Sequence, residues 1–319
     1  MAELPADLSP SPGDRGLGTQ DRSELTRRTI RSWELLTALA ENADLAAETR
    51  AGRTAKELLT GIGRWPDSRW VAEVREEAAA PTSSPGRTDQ DADEERLRTA
   101  HRRASGASVV KALHRSGAEA QTFLGSADDD AYGLRPVASQ LGPLPLRTFL
   151  HATAYRVAVA GLDLEPALHE PMKDELIELV ELGLVALVDV LGALSAREGL
   201  STWLTGVTDQ GVWTFAAEPD AWRITGVDAQ PPGPAVVASA RTLLEITAGR
   251  AEDVGGLYRR GEVRLEDVQG MLRLAPLLDQ VPGIPGASGL KLAARSLDLA
   301  SRTLGRAGSA LGKLRRPFG

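Results

Sequence analysis

His151, Tyr155 and Arg156 stand within six residues of one another and carry the side chains best suited to chemistry in this chain. A spacing of four puts His151 and Tyr155 on one face of a helix. An imidazole exchanges protons near neutral pH, and a phenol beside it can donate or accept. The pair is therefore a candidate for catalysis or ligand contact. The alternative is a half-buried histidine capped by a polar neighbour. Arg156 also has two readings. A buried guanidinium must be paired or hold an anion, and its fork matches a carboxylate. It is either an anchor for an acidic ligand or half of an internal ion pair with Asp163, Asp44 or Glu57. Asp163, Glu165, His169 and Glu170 form the only dense histidine–carboxylate cluster, a donor set that divalent metals accept. Pro166 and the polar surroundings place that cluster in a solvated loop. Trp203, Trp213 and Trp222 either line an apolar ligand tunnel or pack a core. His101 and His114 lie in an arginine-rich helix and are expected to be exposed. No G-x-S-x-G occurs, and Gly283-x-x-Gly286 lacks the Gly-Lys-Ser/Thr ending of a phosphate loop.

The elements that must position these residues follow from periodicity. Residues 1–20 hold prolines and glycines without apolar spacing and read as a disordered leader. Ser23 is placed to cap a helix carrying Leu25, Trp33, Leu36 and Leu39. Thr54 and Glu57 have the spacing of a capping box for a second helix bearing Leu58, Leu59 and Ile62, stopped by Pro66. The stretch 79–95 is polar and turn-rich and reads as a flexible loop. A third helix is predicted over Leu97–Leu124, with Asp128, Asp129 and Asp130 as a solvated acidic turn. A fourth is predicted from Pro145 to Leu162 and a fifth from Met172 to Ala196, the last with a broad leucine and valine stripe.

The period then shortens to two. Trp203–Val207, Val212–Ala216 and Trp222–Val227 read as strands of a small antiparallel sheet. A helix over Ser239–Ala248 closed by Gly249, a strand near Leu257–Arg259 and a helix over Leu265–Leu278 complete an α+β unit. The expected fold class is mainly α: an up-and-down helix bundle over 21–198, an α+β domain over 200–285, and a basic amphipathic helix at the end. That final segment, 287–319, spaces Leu290, Ala293, Leu297, Ala300, Leu304, Ala307, Leu311 and Leu314 on one stripe, with seven basic residues on the other faces. It either packs on the protein or meets an anionic membrane or a partner through residues 290–316.

Two stretches resemble signatures of the DinB-like, mycothiol-dependent maleylpyruvate isomerase family. They are DLAAETRAGRTAKELLTGIGRW (44–65) and LGPLPLRTFLHATAYRVAVAGLDL (141–164). Residues 234–271 resemble a sterol-carrier-like second domain, with Thr242–Arg250 as its leucine helix and Gly261–Glu262 opening the last helix. The resemblance implies a divalent metal held by one histidine and an E-x-x-x-H pair, and mycothiol as thiol cofactor. Those ligand positions fall on Gly61, Arg156 and Ala160, none of which can bind a cation. The expectation is a protein of this family with a degenerate metal site and no metal cofactor. Its expected role is non-catalytic, as a small-molecule-binding or interaction protein. The alternative is a mycothiol-dependent isomerase or S-transferase acting without the usual metal. Arg156, Trp203, Trp213 and Trp222 are the ligand-binding candidates.

Composition narrows the classes further. The chain has 319 residues, 44 acidic against 37 basic, for a net charge of −7, which argues against nucleic-acid binding. Only five residues are lysine, a bias of genomic composition. Zero cysteines exclude a disulfide, a thiolate metal site or a cysteine nucleophile from this chain. No signal peptide is visible at Met1–Gln20, and the longest apolar run, Leu182–Leu194, is too short to span a membrane. A cytoplasmic location, with a peripheral membrane contact through the tail, is expected.

Overall fold

The computed structural model describes residues 6, 8–65, 70–80, 85–251, 253–274 and 277. In chain order the elements are α1 (Leu17–Gln20), α2 (Arg22–Glu41), α3 (Ala55–Ile62), α4 (Trp70–Ala79), α5 (Gln90–Ala100), α6 (Gly106–Leu124) and α7 (Ala127–Tyr132). A two-residue hairpin, β1 (Pro136–Val137) and β2 (Leu144–Pro145), leads into α8 (Leu146–Leu164) and α9 (Lys173–Arg197). Strands β3 (Thr202–Thr208), β4 (Gly211–Glu218), β5 (Ala221–Val227) and β6 (Ala235–Val237) follow, then α10 (Ala240–Thr247), α11 (Val254–Arg259), β7 (Arg264–Glu266) and α12 (Val268–Met271).

The bundle is built on α8 and α9, which pack along each other, with α2 against both and α6 against α2. Small residues set that spacing. A Cβ at Gly183 would lie 2.4 Å from the Ala158 Cβ, and one at Gly161 would lie 2.5 Å from Leu179 Cδ2. The close approach buries Leu150, Val157, Leu179, Leu182 and Val185. Each such side chain contributes about 1.5–3 kcal/mol when removed from water. Local chemistry starts the helices. The Thr54–Glu57 capping box forms in both directions, at 3.2 and 3.0 Å. For α2 the cap is Asp21 and not Ser23: its carboxylate accepts the Glu24 N–H at 2.9 Å, and the Ser23 hydroxyl donates to it.

The sheet has the order β5-β4-β3-β6-β7, with β6 parallel to β3 and the other pairs antiparallel. Its three predicted strands are present. Alternation and register put Trp213, Phe215, Ala217, Trp222 and Ile224 on the face turned to α9. The change from helix to strand falls between Arg197 and Thr202. The hydrophobic core nevertheless runs across it: Phe215, Trp222 and Ile224 belong to one cluster with Leu146, Leu150, Val188 and Leu194.

Several expectations need correction. Residues 8–20 are docked, with Leu8 and Leu17 buried. The Gly16 N–H donates to the Trp222 carbonyl at 2.9 Å, the Trp222 N–H to Asp14 at 3.1 Å, and the Gln20 amide bonds Ile224 in both directions. This strap covers the outer edge of β5. The expected loop 79–95 contains the start of α5, capped by Asp89. The expected helix 97–124 breaks at 101–105 because Ser105 caps a new start for α6. The acidic turn is helix α7, and Asp129 within it is fully buried between Arg147 and Arg22, each at 2.6 Å. Leu257–Arg259 is helical, nucleated by the Asp253 carboxylate on the Gly256 N–H at 2.7 Å. The expected helix over Leu265–Leu278 opens instead as β7, paired with β6. Residues 1–5 of the leader and the tail 287–319 lie outside the described residues. Among the described residues no helix is long and apolar enough to cross a membrane.

Candidate functional site

Gly61 lies in the last turn of α3, while Arg156 and Ala160 lie one turn apart on α8, and the fold brings these elements together. Arg156 Nη2 donates to the Gly61 carbonyl at 3.3 Å and to Glu94 Oε1 at 2.6 Å. Glu94 projects from α5 and also accepts from Gln90 and Arg98, each at 3.1 Å. The missing side chain at position 61 matters here. A Cβ there would lie 2.6 Å from Arg98 Nη1, so the arginine occupies that space. Burial alone would raise the Glu94 carboxyl; the Arg156 charge and the bonds from Gln90, Arg98 and Arg156 reverse this and hold it below the usual range. Arg64 lies near, and burial together with the like charge of Arg156 pushes its guanidinium down to about 9. Arg156 is therefore ion-paired, but with Glu94 and not with Asp163, Asp44 or Glu57.

Glycine, arginine and alanine offer no side-chain ligand that fits a divalent cation. Among the described residues no group of three or more histidine, cysteine, aspartate or glutamate side chains converges. The cluster of Asp163, Glu165, His169 and Glu170 is spent elsewhere. Asp163 is buried in the last turn of α8, not in a solvated loop, and the Arg250 fork holds it at 2.8 and 3.0 Å. Glu165 is held by Arg241 and Arg50. His169 and Glu170 bond Asn42 through their backbones.

His151 and Tyr155 do not act as a pair. His151 is fully buried, and its Nδ1 lies 2.9 Å from Asp189 Oδ2. Its Nε2 is buried without a hydrogen-bond partner. Asp189 Oδ1 accepts the Trp222 indole N–H at 2.9 Å. Tyr155 points to α10, where its hydroxyl donates to Thr247 Oγ1 at 3.1 Å and burial raises its pKa. The tryptophans do not share one tunnel. Trp222 and Trp213 face α9, the second beneath the Arg28 guanidinium at 5.1 Å, while Trp203 points to the opposite face against Gly233. His101, expected to be exposed, stacks on Trp65 with ring centroids 3.9 Å apart. His114 is exposed as expected, beside Glu41.

Sequence reasoning missed a cavity of about 280 Å³ between α8 and α10. Leu162 and Leu244 give it apolar walls, and Arg50, Asp163, Glu245 and Arg250 give it a charged rim. Arg50 and Arg241 each bridge Glu165 and Glu245, which closes a four-membered ionic ring. Arg241 first, with help from Arg50, holds the Glu165 carboxyl below its usual range against the opposing effect of burial. The ring joins residues 50, 165, 241 and 245, and no local pattern in the chain signals it.

No family model matches the sequence, and no curated protein matches it. Solved structures do match. The chain is similar in structure to a mycothiol-dependent maleylpyruvate isomerase. The match has a TM-score of 0.48 at 14% identity and covers 75% of this chain and 93% of the isomerase. A histidine-to-alanine mutant of that isomerase matches equally.

Proposed function

We propose that this protein is a non-catalytic small-molecule-binding or interaction protein on a DinB-like scaffold whose metal position has been refilled with fixed charge. One observation carries the reading: Arg156, on a ligand position, is hydrogen-bonded to the Gly61 carbonyl and ion-paired with Glu94, so two of the three family ligand positions are joined by a hydrogen bond from a charge already neutralised by an acid. Ala160, the third position, has no donor atom. The cavity between α8 and α10, with Arg50 and Arg250 on its rim, is the ligand site this reading favours.

Equilibrium dialysis against zinc, nickel and cobalt tests the proposal, together with assay of mycothiol-dependent turnover of maleylpyruvate. The expected outcome is less than stoichiometric metal and no turnover. One tightly held equivalent of metal overturns the reading. Thiol-dependent turnover without metal, abolished by Arg156→Ala or His151→Ala, would replace it with the metal-free isomerase or S-transferase.

A further inference from the structure

Arg156 uses only half of its binding edge. A guanidinium presents Nε and Nη2 side by side, and the pair matches the two oxygens of a carboxylate or phosphate. Among the described residues, other arginines use that edge in full. Arg27 holds Glu24 through Nε and Nη2, each at 2.7 Å; Arg31 holds Glu178 the same way at 2.7 and 2.7 Å; and Arg250 holds Asp163. In Arg156, Nη2 carries both bonds while Nε is buried with no hydrogen-bond partner. Glu94 cannot complete the fork, because its second oxygen is turned to Arg98.

The acid that half-fills this edge is also loosely mounted. Leu97 is the one buried residue of α5, so the helix is fastened chiefly by that leucine and by the Glu94 and Arg98 contacts. The Arg156 side chain as a whole is 23% exposed. A buried donor left unmade is costly, and a free oxyanion seated on both nitrogens would recover that cost.

We infer that Arg156 is the floor of a small-oxyanion site, for a carboxylate or a phosphate, in which the Glu94 carboxylate is a built-in placeholder that the ligand displaces. The position that resembles a cation site has reversed its polarity. The inference does not need the α8–α10 cavity and goes beyond the reading above. A metal-loaded protein would sink that reading, whereas the experiment below tests this one alone.

Inorganic phosphate and acetate are titrated separately into wild type, Glu94→Gln, Glu94→Asp and Glu94→Gln/Arg156→Gln, with binding read by calorimetry and fold by circular dichroism. Removing the competing charge without changing its shape should tighten binding of at least one probe about tenfold in Glu94→Gln, the scale of one charge-assisted bond. Glu94→Asp, which keeps the charge, should show no such gain, and the double variant should lose it. The probe that gains tells a phosphate ligand from a carboxylate ligand. Equal affinity in wild type and folded Glu94→Gln for both probes overturns the inference, as does a gain that survives Arg156→Gln. If Glu94→Gln does not fold, phosphate or acetate should raise the melting temperature of wild type but not of Arg156→Gln, and equal shifts refute the site.

Discussion

Trp222→Phe isolates the polar hub at the joint between bundle and sheet. Asp189 is fully buried and has two donors, the His151 ring and the Trp222 indole, each at 2.9 Å. Phenylalanine keeps most of the apolar ring and removes the N–H. A hydrogen bond to a charged group is worth about 1.5–3 kcal/mol, and the buried carboxylate would retain one partner. The lost pyrrole part of the ring also packs on Gly192, where a Cβ would lie 2.6 Å from Trp222 Cδ1. Removing that contact adds about 1 kcal/mol. The sum is about 3 kcal/mol, and urea unfolding followed by far-ultraviolet circular dichroism should show it as a lower midpoint at unchanged slope. The Gly16 amide, which bonds the backbone of residue 222, should keep its hydrogen-exchange protection. A loss under about 1 kcal/mol would mean that Asp189 is satisfied by other groups and that the hub is not what joins the layers.

Asp129→Ala should be comparably severe, because it strands Arg147 in the interior; denaturant unfolding should show a loss of about 3–5 kcal/mol. Glu24→Gln should have a pH-dependent effect. Bonding from Arg27 and the charge of Arg28 hold the Glu24 carboxyl at about 2 in the folded chain, against 4.5 as its ordinary value. A depressed folded pKa stabilises above pH 4.5, and the benefit fades as pH falls toward 2. The pair is partly exposed, so the variant should lose about 1 kcal/mol or less at pH 7 and match wild type near pH 2 in thermal melts. A constant difference across that range would refute the assignment.

What the sequence made legible was local. The Thr54–Glu57 box, the strand periodicity of 203–227 and the apolar stripe of α9 each depend on neighbours a few residues away. So does the helix start read at Ser239, which the structure shows as a cap accepting the Thr242 N–H. What it hid was every polar residue whose partner is remote. Glu94 stood in a stretch that reads as a loop, because the arginine that gives it a role is 62 positions away. Asp129 sat in a run of acids that reads as solvated, and Arg147 and Arg22 convert it to a buried anchor. Residues 14–20 lack apolar spacing because they bind largely through backbone atoms and one amide side chain, and such bonds leave no pattern in residue types.

Those residues also carry a consequence for how the molecule is made. Gln20 bonds Ile224 across 204 positions of chain, so during synthesis the segment emerges long before the strand it will line. It has to wait, solvated, while α2 through α9 assemble behind it, and it docks once β5 exists. Contacts of that span are costly to close and slow to form. In exchange, a strand edge that would otherwise offer bare amides and carbonyls to other chains is sealed from within.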